Sequence, residues 1–189
     1  MHILKTFFIL GTLLGLQGCI SSSSNYYILS VASNPATTYK GKYKVIGVEQ
    51  VTVPGYLYKR DLAVAESNNK ITLLGNASWG EDLDAGLTQR LIGFLQKKFN
   101  QPNVYAYPWG MNNQPDIKVS VQVTRFIAQG NIVYLDASWR LENIVSKRRV
   151  ARLFSTRVVT KRDAESIVSA MNQAFSQFEE AVARGIKQF

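Results

Sequence analysis

From Asp116 onward the chain settles into a strict period of two. Ile117, Val119, Val121 and Val123 alternate with Lys118, Ser120, Gln122 and Thr124. After the turn Gln129-Gly130-Asn131 the alternation resumes, with Val133, Leu135, Ala137, Trp139 and Leu141 set against Tyr134, Asp136, Ser138 and Arg140. Successive side chains of an extended strand point to opposite faces, so each run describes a strand with one buried face. Together they predict a long antiparallel hairpin. A chain that carries it must cover that apolar face with something else it encodes.

Two amphipathic segments supply the cover. Leu83, Leu87, Leu91, Phe94, Leu95 and Phe99 recur at helical spacing, with Gln89, Arg90, Gln96, Lys97 and Lys98 expected on the wet side. Ser78-Trp79-Gly80-Glu81 fits a capping box at the start of that helix, and Asn100 and Pro102 end it. Thr160 to Asp163 opens a second helix extending to about Lys187, with Ile167, Met171, Ala174, Phe175, Phe178, Val182 and Ile186 as its stripe. Further strands are expected at Tyr26 to Leu29 and Val150 to Val159, and a long one at Lys44 to Val53 with a bulge or twist near Gly47. Short ones are expected at Leu62 to Ala65, Ile71 to Leu74 and Val104 to Tyr107. The fold class is α+β: a single domain with a largely antiparallel sheet and two long helices packed on one face.

The chain opens differently. A basic residue, Lys5, precedes the apolar run Phe7 to Leu16, then Gln17, Gly18 and Cys19. That order is a secretory signal, and the run is too short to span a bilayer, which takes ~20 residues. Leu16-Gln17-Gly18-Cys19 resembles the lipobox of bacterial lipoproteins, in which the cysteine is lipid-modified and becomes the first residue. Residues 1–18 are therefore read as the signal, 19–25 as a lipidated cysteine with the serine-rich tether Ser21 to Ser24, and 26–189 as the domain.

With that boundary, the residues that are missing carry the chemistry. The one histidine, His2, leaves with the signal, and the one cysteine, Cys19, carries lipid on its sulfur. Ser-His-Asp and Cys-His catalysis, His or Cys zinc sites and disulfides are thereby excluded. No catalytic residue, metal or cofactor is assigned. A hydrolase without histidine would need a Ser-Lys pair or a carboxylate pair. Its obvious acids, within the cluster Glu81, Asp82 and Asp84, are better explained as helix-start charge. Trp79 is expected to pack over the same helix start.

The formal charge of +9 becomes +8 once Lys5 is removed. In an exported, anchored chain such a balance suits anionic head groups or an acidic protein and not nucleic acid. The densest positive stretch is Lys147, Arg148, Arg149, Arg152, Arg157, Lys161 and Arg162, with no acid between 147 and 162. Lys147, Arg148, Arg149 and Arg152 are candidate contacts to a partner or an anionic surface. Tyr56, Tyr58 and Arg60, after the Pro54-Gly55 turn, are candidate contacts to a partner or an anionic surface; a loop packed on its own sheet is the alternative.

Three stretches carry a resemblance: Asn25-Tyr-Tyr-Ile-Leu29, Val48-Glu-Gln-Val-Thr-Val-Pro-Gly-Tyr-Leu57 and Asn76-Ala-Ser-Trp-Gly-Glu-Asp-Leu83. In this order and spacing they resemble the ABC-type transport auxiliary lipoprotein family, over nearly all of the mature chain. Tyr58-Lys-Arg60 departs from the aspartate or asparagine often found after Pro-x-Tyr-Leu. The resemblance implies a non-catalytic lipoprotein of an intermembrane lipid transport system, held to the outer membrane by its N-terminal lipid and facing the periplasm. Its implied partner is an MCE-type periplasmic substrate-binding protein of an ABC transporter, with self-association left open. Ile20, in place of the aspartate that signals inner-membrane retention in many Gram-negative bacteria, agrees with the outer membrane. A structural or pilotin-like lipoprotein that assembles an envelope machine is the alternative.

Overall fold

The computed structural model describes residues 24–40, 44–110 and 114–189. Cys19, the signal and most of the serine tether lie outside the described residues. In chain order the elements are β1 (Asn25–Tyr27), β2 (Ile46–Val48), a 3₁₀ turn (Gly55–Tyr58), β3 (Asp61–Ser67), β4 (Lys70–Trp79), α1 (Leu83–Phe99), β5 (Val104–Ala106), β6 (Ile117–Gln129), β7 (Ile132–Asn143), β8 (Arg149–Val159) and α2 (Ala164–Gln188).

The β6–β7 hairpin is the spine, as its alternation predicts. Its ladder runs from Gln129↔Ile132 to Ile117↔Asn143, and β8 continues the sheet antiparallel to β7. Gly130 takes a φ of 61° in the turn, a left-handed conformation that glycine adopts without a Cβ penalty. The ladder shifts register between Val123 and Arg125, so the buried positions move from 117, 119, 121 and 123 to Phe126 and Ala128. On its other edge β6 holds two separate neighbours. Its start pairs in parallel with β2, through Ile46↔Ile117 and Val48↔Val119, and its end with β3, through Val64↔Ala128. Beyond β3 lie β4 and then β1; beyond β2 lies β5. The long ladders are antiparallel and the short ones at β1, β2 and β5 are parallel.

α1 packs on β5 and the 3₁₀ turn, α2 on β7 and β8, and the helices touch each other. One apolar core joins them to the sheet, including Leu87, Leu91, Phe94, Val121, Leu135, Phe175 and Phe178. Asp163 caps α2, its carboxylate accepting from the Ser166 N–H at 2.8 Å.

Four expectations are corrected. The strand from Lys44 to Val53 is only Ile46–Val48 plus one isolated bridge, Thr52↔Gln122. The chain leaves the ladder because Val51 turns into the core, where its N–H donates to the Thr88 hydroxyl of α1 at 2.9 Å. At Gly47 a side chain would collide with Pro115 and Trp109, so the strand passes them in close contact instead of bulging. The capping box does not form. Ser78 belongs to β4 and donates to Asp61 at 2.9 Å, Glu81 accepts from the Ser30 N–H at 3.2 Å, and Asp82 becomes the N-cap. β4 runs on past Leu74 to Trp79 because Ala77 to Trp79 gain a parallel partner in β1. Finally, the supposed wet side of α1 is not all wet: α2 covers Arg90 and Lys98, which are 1% and 3% exposed.

Candidate functional site: an arginine cleft at the sheet edge

The covered side of α1 shows how this fold handles charge. Arg90 Nε donates to Glu179 of α2 at 3.1 Å, and Nη2 donates to the Asn172 carbonyl at 3.0 Å and the Ser176 hydroxyl at 2.9 Å. The Asn172 side chain and the face of Phe175 complete its surroundings. Ser33 donates to the second Glu179 oxygen at 3.1 Å, which ties the segment after β1 to the helix pair. Burial outweighs the neighbouring Arg90 charge and pushes the Glu179 carboxyl up to about 7. About two turns further on, Lys98 pairs with Glu180 at 2.9 Å and lies over the Tyr39 ring.

The other edge of the molecule is built the opposite way. β8 is an edge strand, paired only with β7. Its odd positions face away from the helices: Arg149 pairs with Glu142 at 2.8 Å, Ser155 bonds Asp136, and Arg157 lies over Tyr134. Lys118 reaches the same Glu142 at 3.6 Å, and the Arg149 hydrogen bond holds that carboxyl below its usual range. Even positions face α2, where Phe154 meets Phe178 edge to face. Alternation thus splits the basic run: Arg148 and Arg152 go to the helix side, Arg149 to the other.

On the helix side a cleft of about 390 Å³ opens between β8 and the last turns of α2. Trp139 forms its floor, with Arg152 directly opposite in the ladder and Gly185 above. A Cβ on Gly185 would come within 2.2 Å of the indole, so this glycine lets the helix backbone rest on the ring. Arg148, Arg152 and Arg184 line the walls, and no acid does. Arg148 donates to the Phe189 carbonyl at 3.3 Å and stacks over its ring, and Arg152 donates to the Ala151 carbonyl at 3.0 Å. Sequence reading missed Arg184. Its signal was a second stripe on α2, Ala181, Arg184, Gly185 and Gln188 at helical spacing, beside the apolar one.

The remaining candidates separate. Lys147, with a φ of 60°, sits in the turn before β8 and does not line the cleft. Tyr56 is half-buried and structural: its hydroxyl accepts from the Phe126 N–H at 3.1 Å, and burial raises its pKa. Tyr58 is exposed, and with Arg60, Trp79, Glu81 and Asp82 it lines a smaller cleft of about 190 Å³ at the start of α1. Two of the stretches that carry the family resemblance meet there. The Trp79 indole N–H is buried in this region without a hydrogen-bond partner. Asp84 accepts from Gln50 at 2.7 Å, so it and Glu81 serve as structural acceptors. Among the described residues no cluster of three or more metal-ligating side chains occurs, and no helix is long and apolar enough to cross a membrane.

A family model described as the ABC-type transport auxiliary lipoprotein component matches residues 27–183, from β1 to the last turns of α2. The chain belongs to this family. Among curated relatives, the auxiliary lipoprotein is 27% identical over 179 residues to the intermembrane transport lipoprotein PqiC of Escherichia coli K12, covering 93% of this chain and 94% of that one. The PqiC of Shigella flexneri matches equally. Two crystal structures share the fold. One, of an uncharacterized protein, has a TM-score of 0.71 at 23% identity, over 87% of this chain and 99% of that one. The other, of a Xanthomonas campestris protein, has a TM-score of 0.70 at 14% identity, over 86% and 95%. As an auxiliary component, the lipoprotein works beside partner proteins of a transport system.

Proposed function

We propose that the protein is a non-catalytic auxiliary component of an ABC/MCE-type system that moves lipid between membranes. It is anchored by lipid on Cys19 in the outer membrane and faces the periplasm. The observation that carries this reading is the family match over residues 27–183. The near full-length similarity to lipoproteins named for intermembrane transport agrees with it. So does the chemistry of the fold: Glu81 and Asp84 are committed to structural hydrogen bonds, and no histidine or thiol follows Cys19. The partner is an MCE-type periplasmic substrate-binding protein, met by an exposed surface and not by a catalytic pocket.

Two measurements test this. Cys19→Ser is expected to leave a folded domain that no longer sediments with membranes; retention after a high-salt wash would refute the anchor. Cross-linking in cells is expected to capture an MCE-type carrier encoded beside this gene, and deleting either should give a similar envelope-lipid defect. A carrier lost from the envelope in the deletion strain would point instead to an assembly factor.

A further inference from the structure

The cleft floored by Trp139 has a composition that the docking role does not require. Three arginines line it with no acidic side chain among them. Each carries five N–H donors; Arg148 and Arg152 use one apiece on carbonyls, and Arg184 has no partner among the described residues. The nearest acids on the same elements are engaged elsewhere, Glu180 with Lys98 and Glu142 with Arg149 and Lys118. The C-terminal end of α2 places about half a negative charge nearby, and a free carboxylate at Phe189 would add one more; three arginines exceed the two together. The site therefore selects an anion. Arginine forks match the paired oxygens of a phosphate better than a point charge does. Apart from Gln188 the rest of the lining is apolar, with the Trp139 face below and Phe154 beside it. A bare phosphate would leave that surface unused.

We propose that this cleft binds the phosphate of a single anionic glycerophospholipid, with Arg152 and Arg184 on the phosphate, Arg148 at its edge and the glycerol end lying on Trp139 and Phe154. The choice of lipid over free phosphate rests on the proposed membrane setting; the anion site rests on the cleft alone.

The test uses the full chain in a neutral detergent, so it does not depend on whether Cys19 carries lipid. Short-chain dihexanoyl phosphatidic acid, dihexanoyl phosphatidylcholine and inorganic phosphate are titrated separately, by calorimetry and by tryptophan fluorescence with Trp139→Phe as the control. Phosphatidic acid is expected to bind with a fluorescence change that Trp139→Phe removes, and phosphatidylcholine at least tenfold more weakly. Arg152→Gln and Arg184→Gln, both on exposed side chains, should each weaken binding by about tenfold or more. Inorganic phosphate binding as tightly as the lipid would keep the anion site and assign free phosphate as its occupant. Absence of binding by all three, or binding unchanged in the double arginine variant, overturns the proposal. Either result leaves the membrane-fractionation and carrier-capture outcomes untouched, so the two readings fail separately.

Discussion

Arg90 and Arg184 are the same side chain on two neighbouring helices, and the fold treats them in opposite ways. Arg90 is sealed between α1 and α2, and its guanidinium is shared among Glu179, Asn172 and Ser176. Arg184 stands on the open side of α2, beside two more arginines and no acid. Desolvating a charge costs several kcal/mol unless a partner and hydrogen bonds offset it, and the fold provides both at Arg90. At Arg184 it provides neither and leaves the charge in water, where it remains available to something outside the chain. Positive charge in this protein is thus divided into a structural share and a spare share.

The comparison is broken most severely at Arg90. Arg90→Met leaves Glu179 buried without its cation and is expected to cost about 3–5 kcal/mol in chemical denaturation at pH 8. Adding Glu179→Leu should recover most of that loss, because an apolar pair of similar volume avoids the desolvation cost.

Glu179 also gives the structural share a pH signature. Its carboxyl is raised from its ordinary 4.5 to about 7 in the folded chain, chiefly by burial. Between those values the folded state holds a proton that the unfolded state has lost. Stability contributed by this group is therefore fully present below about 4.5, declines as pH rises through about 7, and is flat above. The wild type minus Glu179→Gln difference in unfolding free energy should change by on the order of 1–3 kcal/mol across that window. A difference independent of pH would show that Glu179 is ionised throughout.

Gly185→Ala should cost up to about 2 kcal/mol. Its Cβ overpacks against Trp139, which costs about 1–3 kcal/mol, and the helix-propensity gain of ~1 kcal/mol offsets part of this. Arg152→Gln with Arg184→Gln should move stability least, by less than about 0.5 kcal/mol in either direction. A larger loss would mean that these arginines belong to the structural share after all. Arg149→Gln serves as a reference, since its side chain is exposed and pairs with Glu142 on the face away from the cleft.

How much of this was legible depends on how far each residue's partner lies along the chain. The β6–β7 hairpin was, because a period of two reports which face is buried without reference to any other segment. The stripes of both helices were legible for the same reason. The capping box failed because Ser78 and Glu81 found partners at Asp61 and Ser30 that no local pattern announces. Arg90 read as solvated because a polar residue on a helix looks the same whether water or a second helix stands opposite. The basic run was found, but its division was not. Only the pleat of β8 turns Arg149 towards Glu142 and Arg152 towards α2. The family resemblance lay in local stretches and survived intact, with the model match spanning all three of them from Tyr27 onward.

The double neighbour on β6 has a consequence in time. The strands before it form two fragments, β1–β4–β3 and β2–β5, and among the described residues no ladder joins one to the other except through β6. A chain delivered N-terminus first therefore has two incomplete sheets and an uncovered α1 until residues 117–129 arrive. Closing the loop between β3 and the end of β6 spans about 60 residues, an entropic cost met only when that strand is in place. Joining of the two fragments is deferred until about two thirds of the sequence has been delivered.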